Sequence, residues 1–269
     1  MEMYGTINDE NVTEEKLGYI NTLNVRSSYS EGKRVCELYC YSYQKEYGVP
    51  VKIARIAQTF GAGISKNENR VYKIFADAVI NKENIVLKSK GTTIINYSYT
   101  TDTVIALLVL LLKGKNGEAY NVVGEKTNMT ILESAKWLAD EFGEGKTDVI
   151  IDIPKENAGF APDNKMVLNN EKLKNIGWNS NYTLKQGYTR LINYLKEEKN
   201  NEKIGKTYRV VVEDYDGYSD SYTGRTYMDA PEIDGLVKFT SHKDLDIGDF
   251  VDVEIFDVED YDLIGEVTA

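Results

Sequence analysis

Ser27-Ser28-Tyr29-Ser30-Glu31-Gly32-Lys33 opens a long run with helical character and places a tyrosine and a lysine four positions apart. Positions i and i+4 share one face of an α-helix, so the Tyr29 phenol and the Lys33 ammonium are predicted to lie side by side. A positive charge beside a phenol favours the phenolate, which makes the pair a candidate for acid/base chemistry. Tyr41 and Lys45 have the same spacing, so the pair alone does not identify a site.

Three further stretches follow this pair. Residues 49–63 read VPVKIARIAQTFGAG, residues 97–112 read YSYTTDTVIALLVLLL, and residues 117–123 read GEAYNVV. Together with Y-x-x-x-K they resemble the extended short-chain dehydrogenases/reductases, the NAD-dependent nucleotide-sugar epimerases and dehydratases. In that family the order is Y-x-x-x-K, R-x-x-N-x-Y-G-P, a Y-V-x-D loop and G-E-x-Y-N. The resemblance covers about residues 1–196 and implies an α/β fold with a Rossmann-like parallel sheet, NAD as cofactor and a nucleotide sugar as substrate.

The resemblance also implies roles for individual residues. Tyr29 would be the catalytic acid/base, and Lys33 would activate it and bind the cofactor ribose. Glu2 stands where the sugar 4,6-dehydratases carry an acid, and the alternative, which the residue pattern favours, is a solvated charge near a free terminus. Gln58 stands where the family has an asparagine that binds the sugar nucleotide, and the alternative is a loop amide that caps backbone groups. Tyr99 is the second implied substrate contact.

The sequence departs from the family pattern at positions that matter for the cofactor. The family's catalytic serine or threonine would fall immediately before Met1. No Gly-rich turn of the form G-x-G-x-x-G follows a strand, although such a turn at a helix N-terminus holds a dinucleotide pyrophosphate. Ile95 occupies the position of an arginine that pairs with nucleotide phosphates. We therefore expect an incomplete Rossmann-like sheet, truncated at its N-terminus, that is inactive alone.

Several local predictions follow from residue patterns. The helix opened by Ser27 is expected to cover residues 30–47 and to end at Gly48, and a single buried strand is expected over residues 51–60. Residues 1–5 resemble the end of a strand. Asp102 is expected to cap the next helix. Thr130 and Glu133 fit a capping box.

The composition excludes some classes of site. The chain has 269 residues, of which 42% are hydrophobic and 28% charged, as in ordinary soluble proteins. Cys36 and Cys40, expected to be buried on one helical face, cannot complete a zinc site with the single histidine, His242, so no metal is predicted. The apolar run at residues 104–112 is too short for a membrane span and is expected to be a buried helix. No signal peptide is visible, and a cytoplasmic location is expected.

The last quarter of the chain differs from the rest in charge and in residue pattern. Residues 203–269 carry 6 Lys+Arg against 17 Asp+Glu, which leaves 26 of each in the preceding residues. Short alternating runs separated by turn signals, such as Phe250–Ile255, predict a small antiparallel OB-like barrel. The predicted organisation is therefore an α/β domain at residues 1–198, a linker at 199–203 and an all-β domain at 204–269.

A second resemblance covers this barrel. The stretches at residues 224–235, 248–251 and 260–266 resemble the C-terminal TRAM domain of the radical methylthiotransferases that modify an aspartate of a ribosomal protein. That enzyme's iron–sulfur motif is absent, since no third cysteine follows Cys40. The resemblance implies docking on a basic ribosomal protein, and nucleic acid is disfavoured by the acidic charge. A barrel without a partner, and a fused or truncated reading frame, are the alternatives.

Overall fold

The computed structural model describes residues 1–154, 164–226, 235–259 and 262–268. It divides the chain into two compact units, Met1–Ile192 (unit 1) and Asn193–Ala269 (unit 2). Parts of the TRAM-like motifs, residues 227–234 and 260–261, lie outside the described residues. Among the described helices, none is long and apolar enough to cross a membrane.

Unit 1 is built from short parallel strand pairs with helices between them, which confirms the α/β prediction. The strands are β1 (Ile53–Ile56), β2 (Gln58–Phe60), β3 (Ile85–Leu87), β4 (Ile94–Ile95), β5 (Tyr97–Tyr99), β6 (Ala119–Val122), β7 (Met129–Thr130) and β8 (Val149–Ile151). The helices are α1 (Ser27–Tyr47), α2 (Val71–Asn81), α3 (Thr100–Lys113), α4 (Ile131–Phe142), α5 (Glu171–Lys174) and α6 (Leu184–Asn201), of which α6 begins in unit 1 and ends in unit 2. Strands β1 and β6, β2 and β5, and β3 and β8 pair in parallel, whereas β4 and β7 pair antiparallel.

Helices α1 and α3 lie on opposite faces of the β1–β6 pair. Ala54 and Ile56 of β1 pack against the cluster that contains Ala106 and Leu110 of α3. Arg55, which lies between them in sequence, pairs instead with a carboxylate of α1. Successive side chains of a strand point to opposite faces, so this alternation places one helix on each side.

The predicted single strand at residues 51–60 is wrong in one respect, because the chain changes partner in its middle. The Ala57 N–H donates to the Val122 carbonyl, which continues the β1–β6 ladder. The next residue, Gln58, donates its N–H to the Asn96 carbonyl instead, and the β2–β5 ladder begins there. A continuous apolar run cannot reveal such an exchange of neighbours.

Two burial predictions are wrong. Cys36 is exposed and Cys40 is partly exposed, because α1 buries none of its side chains fully. The apolar run at residues 104–112 does form a helix, α3, but most of that run is exposed. Only Ala106 and Leu110 of the run are buried against the sheet. The exposed apolar residues of α3 are Val104, Ile105, Leu107, Leu108, Leu111 and Leu112.

The predictions that rest on local sequence signals at helix ends are confirmed. Gly48 ends α1 in the left-handed conformation with φ 68°, and its N–H donates to the Gln44 carbonyl. The capping box of Thr130 and Glu133 is present at the start of α4. The predicted strand end at residues 1–5 is wrong, since Glu2–Tyr4 forms a single 3-10 turn.

Unit 2 contains a closed five-stranded barrel, which confirms the all-β prediction. The strands are β9 (Thr207–Asp216), β10 (Ser221–Thr226), β11 (Val237–Thr240), β12 (Phe250–Glu259) and β13 (Asp262–Val267), in the closed order β10-β11-β13-β12-β9. One pair, β11–β13, is parallel, so the barrel is not wholly antiparallel as predicted. Gly224 is required by close packing, because a Cβ there would lie 2.1 Å from the Val211 carbonyl oxygen.

The junction between the predicted domains is partly helical. Helix α6 extends to Asn201 and so includes the first three residues of the predicted linker, 199–203. The domain boundaries themselves stay a prediction.

Candidate functional site

The Tyr29–Lys33 pair lies on the first turns of α1, as the spacing predicts. The Lys33 Nζ atom is 5.5 Å from the centroid of the Tyr29 ring, and Tyr29 is 59% exposed. The Tyr41–Lys45 pair has nearly the same geometry, with 5.4 Å from Nζ to the ring centroid. Contact geometry alone therefore does not separate the candidate pair from the other pair on this helix.

What distinguishes the first pair is its anchorage. Arg34, the residue after Lys33, donates from Nε to the Met3 carbonyl at 2.8 Å and from Nη2 to the Gly18 carbonyl at 2.8 Å. It also donates to the Tyr4 carbonyl at 3.3 Å. These bonds tie the turn that carries Lys33 to the beginning of the chain.

A buried arginine holds the next turns of α1. The Arg55 guanidinium is paired with the Glu37 carboxylate, with 2.9 Å between Nε and Oε2, and its Nη1 donates to the Tyr4 hydroxyl at 3.0 Å. Nη1 also donates to the Glu14 carbonyl at 2.6 Å. Burial by itself lowers the pKa of Arg55, but its bonds to Glu37 and Tyr4 outweigh that and raise it overall. The arginine is therefore a permanent cation in this network.

The network continues into the centre of β6. The Tyr4 hydroxyl donates to Oδ1 of Asn121, and the Asn121 N–H donates to the Glu14 carboxylate at 2.6 Å. Asn121 Nδ2 donates to the Val12 carbonyl at 3.0 Å. Burial raises the pKa of Tyr4, while the bond from Arg55 opposes that shift. Tyr4 is thus a neutral donor in a fixed position.

Glu2 lies near this anchorage but faces solvent. Its 3-10 turn begins at Met1, whose ammonium donates to the Ile56 carbonyl at 3.1 Å. Burial lowers the pKa of the Met1 ammonium, with a further lowering from Arg55 and Lys33 and an opposing effect from Glu2. Glu2 and Lys33 therefore share the neighbourhood of the Met1 ammonium.

Gln58 and Tyr99 form a second group on β2 and β5, where Gln58 pairs with Tyr97 and Phe60 with Tyr99. Tyr99 is buried, and its ring packs 4.5 Å from Tyr182 and 6.0 Å from Phe60, measured between centroids. This packing gives Tyr99 a structural role, whether or not the side chain also contacts a substrate. Gln58 is only half-buried and so stays available for contact.

Asp102 has a different role from the predicted helix cap. Helix α3 begins before it, at Thr100, and the fully buried Asp102 carboxylate accepts the N–H groups of Asn181 and Tyr182 at 3.0 to 3.1 Å. The Asp102 carbonyl accepts from Nε1 of Trp178 at 3.0 Å. The aspartate therefore fastens a loop about 80 positions further along the chain, and only the fold could show this.

Sequence reasoning also missed an aromatic core beside β2 and β5. The Phe60 ring lies 5.1 Å from Tyr97 and 4.9 Å from Tyr188, measured between centroids. Burial raises the pKa of both tyrosines well above the ordinary value. The many tyrosines in these segments were the sequence signal for an aromatic core. The spacing of these residues along the chain could not show that their rings pack together.

A cavity of about 280 Å³ lies beyond the carboxyl end of β6. Its polar lining is largely engaged within the protein, because Asn96 Nδ2 donates to the Met166 carbonyl and Asn170 Nδ2 donates to the Val123 carbonyl. The lining residues are Glu10, Asn11, Asn96, Val123, Gly124, Glu125, Lys126, Asn128, Leu168, Asn169, Asn170 and Glu171.

The described residues fit NAD only in part. Tyr29 and Lys33 are exposed donors of the kind that bind ribose hydroxyls. The pyrophosphate needs a Gly-rich turn between a strand and a helix, whereas β5 runs directly into α3 and β7 directly into α4. Ile95, at the position of the family's phosphate-binding arginine, is buried. Among the described residues, no group of three or more His, Cys, Asp or Glu could hold a metal ion.

Comparisons with known families agree with the epimerase/dehydratase resemblance and with the TRAM domain. Residues 1–123 match the model of the NAD dependent epimerase/dehydratase family, and residues 204–268 match the TRAM domain. UDP-glucuronic acid decarboxylase 1 of Xenopus tropicalis is 29% identical over 210 residues, which cover 76% of this chain and 48% of that protein. The dTDP-D-glucose 4,6-dehydratase of Bos taurus is 28% identical over 65% of this chain and 49% of that protein. The chain thus spans about half the length of these relatives.

Solved structures show the same fold. A dTDP-glucose 4,6-dehydratase from Bacillus anthracis, determined with NAD, has a TM-score of 0.61 and 24% identity, over 75% of this chain and 60% of that one. A UDP-glucose 4-epimerase from Thermotoga maritima, determined with UDP-glucose, has a TM-score of 0.60 and 24% identity, over 73% of this chain and 62% of that one. At this identity the likeness establishes the fold of unit 1.

Replacing Glu37 with glutamine should destabilise the chain, because the buried Arg55 cation loses its counter-charge. We expect Glu37→Gln to lower the free energy of unfolding by about 3 kcal/mol. Glu46→Gln, an exposed change on the same helix, should shift it by less than about 0.5 kcal/mol. Denaturant unfolding followed by circular dichroism measures both, and equal effects would contradict the assigned role of the ion pair.

Proposed function

We propose that unit 1 acts on a nucleotide sugar. The proposal is supported by the match of residues 1–123 to the model of the NAD dependent epimerase/dehydratase family. The observation that carries this proposal is the Tyr29–Lys33 contact on an anchored turn of α1. The relatives' names support a UDP- or dTDP-sugar as the substrate class.

In the proposed reaction Tyr29 exchanges a proton with a sugar hydroxyl. The Lys33 ammonium lies against the tyrosine ring and stabilises negative charge on the phenolic oxygen. Gln58 is the proposed polar contact to the sugar nucleotide, and Tyr99 supports the same strand pair. Glu2, close to the Met1 ammonium, is the proposed second acid. NAD, when bound, supplies a hydride acceptor at the sugar carbon.

We further propose that these 269 residues do not complete the reaction by themselves. A catalytic phenol works in a site from which water is excluded, whereas Tyr29 is more than half exposed and α1 buries no side chain fully. The pyrophosphate-binding turn is also not among the described elements.

The acidic barrel supports a second candidate function, which is docking on a basic protein such as a ribosomal protein. Exposed carboxylates follow one another along β9 and β12, at Asp214 and Asp216 and at Asp252 and Glu254. Exposed carboxylates attract a basic partner and repel nucleic acid phosphate. A cytoplasmic location, where both functions would operate, stays a prediction.

The catalytic role of Tyr29 can be tested in a chimera. The part of the Bacillus anthracis dehydratase chain that this chain does not cover would be fused ahead of Met1. Turnover of dTDP-glucose or UDP-glucuronic acid by the chimera should fall about 100-fold or more in Tyr29→Phe. Tyr41→Phe is the matched control, since Tyr41 has the same contact with Lys45. Equal activity of the two variants would contradict the assignment.

The cofactor prediction needs only the 269-residue chain. NAD titrated calorimetrically into it should give no saturable heat up to about 1 mM, because the described residues offer the ribose contact without the pyrophosphate turn. Saturable micromolar binding would show that NAD is held differently and would refute the incompleteness proposed above.

The barrel hypothesis predicts charge-dependent association. A lysine-rich peptide should bind the chain at low salt and weaken as ionic strength rises from about 50 to about 200 mM, while single-stranded RNA should not bind. The Asp252→Asn/Glu254→Gln double variant should weaken peptide binding, measured by fluorescence anisotropy. The Asp140→Asn/Glu144→Gln variant in unit 1 serves as the control of equal charge. Unchanged binding in the barrel variant would count against this surface.

A further inference from the structure

We propose that the outer face of β12 and β13 binds a basic protein segment whose cationic side chains are flanked by aromatic or large apolar residues. This inference rests on the second candidate function, the docking of the barrel on a basic protein, and deepens it by assigning the contact positions and the composition of the partner. All of the residues involved belong to unit 2.

Two carboxylates face each other on the outside of the barrel. Glu254 of β12 lies directly opposite Glu266 of β13 in the antiparallel register. Both residues are exposed, and Glu254 lies between the buried Val253 and Ile255, so its side chain points out of the barrel. Directly opposed side chains of an antiparallel pair have Cβ atoms about 5 Å apart, and like charges in that position repel each other.

The described part of the chain offers little to relieve this repulsion. On its other side Glu254 is paired with Thr207 of β9, which carries no charge. Glu266 lies 3.2 Å from Nε2 of His242, an exposed histidine that is charged only when protonated. Among the described residues neither carboxylate forms an ion pair with a lysine or arginine. A cation from another molecule would therefore meet two neighbouring carboxylates that lack a permanent counter-charge.

Two exposed phenylalanines lie on the same strand, one on either side of Glu254. Phe250 is 63% exposed and Phe256 is 57% exposed. A strand rises about 3.4 Å per residue, so these residues lie roughly 13 Å and 7 Å from Glu254 along β12. The Arg209 guanidinium lies over the Phe250 ring, with 5.9 Å between Cζ and the ring centroid. This contact shows that the ring can take a cation as well as an apolar side chain.

The arrangement indicates the chemistry of the partner. The opposed carboxylates favour a cationic group, and the phenylalanines on both sides favour aromatic or apolar neighbours of that group. Each strand of the barrel already has two neighbours, so the partner would bind through side chains across the outer face rather than as an added strand. Nucleic acid is disfavoured, because its phosphates would approach the same carboxylates.

The probe for the test is a labelled peptide of two arginines flanked on both sides by tryptophan, and the reference peptide has serine in place of each tryptophan. Fluorescence anisotropy with the full 269-residue chain measures both affinities at low salt. We expect the tryptophan peptide to bind about fivefold more tightly. Phe250→Ser and Phe256→Ser should each remove most of that difference. Glu254→Gln should weaken the binding of both peptides about threefold or more, and so should Glu266→Gln.

The stability of the free chain gives a second readout. Removing one of two opposed like charges relieves their repulsion, so Glu254→Gln should raise the midpoint of urea unfolding while it weakens peptide binding. A glutamate that only stabilises the barrel would lower the midpoint when it is replaced. A lowered midpoint in Glu254→Gln would therefore count against the proposed site.

Tyr218→Ser and Asp244→Asn are the matched controls. Tyr218 is an exposed aromatic residue between β9 and β10, and Asp244 is an exposed carboxylate between β11 and β12. Both variants should bind the two peptides as the unmodified chain does.

Each outcome bears on a different claim. Equal affinity for the two peptides, or equal losses in Phe250→Ser and Tyr218→Ser, would overturn this inference and leave charge-dependent docking in place. If neither peptide binds, both this inference and the docking on a basic protein are refuted. Binding of single-stranded RNA in place of the peptides would assign the surface to nucleic acid and would refute both as well.

Discussion

The structure of unit 1 depends on the ion pair between Arg55 and Glu37. A guanidinium in the middle of a strand loses most of its hydration, which is costly unless charge and hydrogen bonds compensate. Here the compensation comes from a carboxylate on α1, a tyrosine hydroxyl in the first turn and a backbone carbonyl near Glu14. One side chain therefore joins β1 to the helix that carries the candidate acid/base pair. The position of Tyr29 is a consequence of that link.

This link explains how α1 can be in place while most of its surface is exposed. Apolar burial contributes little, since none of its side chains is fully buried, and polar bonds from Arg34 and Arg55 carry the attachment. The same construction leaves aromatic and aliphatic side chains of α1 free to meet another molecule. On the other face, α3 buries one stripe and exposes another. Unit 1 thus combines a polar network around Arg55 with exposed apolar side chains on α1 and α3.

Unit 2 differs from unit 1 in how the edges of its strands are paired. Its five strands close on themselves, so each strand of the barrel has two neighbours and the backbone offers little to an added strand. The parallel β11–β13 pair completes that closure. What the barrel presents to solvent is charge, in the exposed carboxylates of β9 and β12. The two units therefore present different surfaces to solvent, one with exposed apolar side chains on α1 and α3 and the other with exposed carboxylates.

The sequence by itself determined what depends on local spacing. The i, i+4 pair of Tyr29 and Lys33, the left-handed Gly48, the capping box at Thr130 and the change from helical texture to an acidic barrel all follow from neighbours in the chain. The resemblance to the epimerases and dehydratases and the TRAM domain, both carried by ordered motifs, agree with the family models that match.

Only the tertiary structure decided which partners distant residues find. It showed that β1 and β2 have different neighbours, that Asp102 fastens a loop about 80 positions away, and that α3 exposes much of its apolar run. It also showed that the buried Arg55 of β1 binds α1 and the first turn together. A hydrophobic pattern indicates which residues can be buried. Whether such a residue is buried depends on what packs against it, and only the folded chain determines that packing.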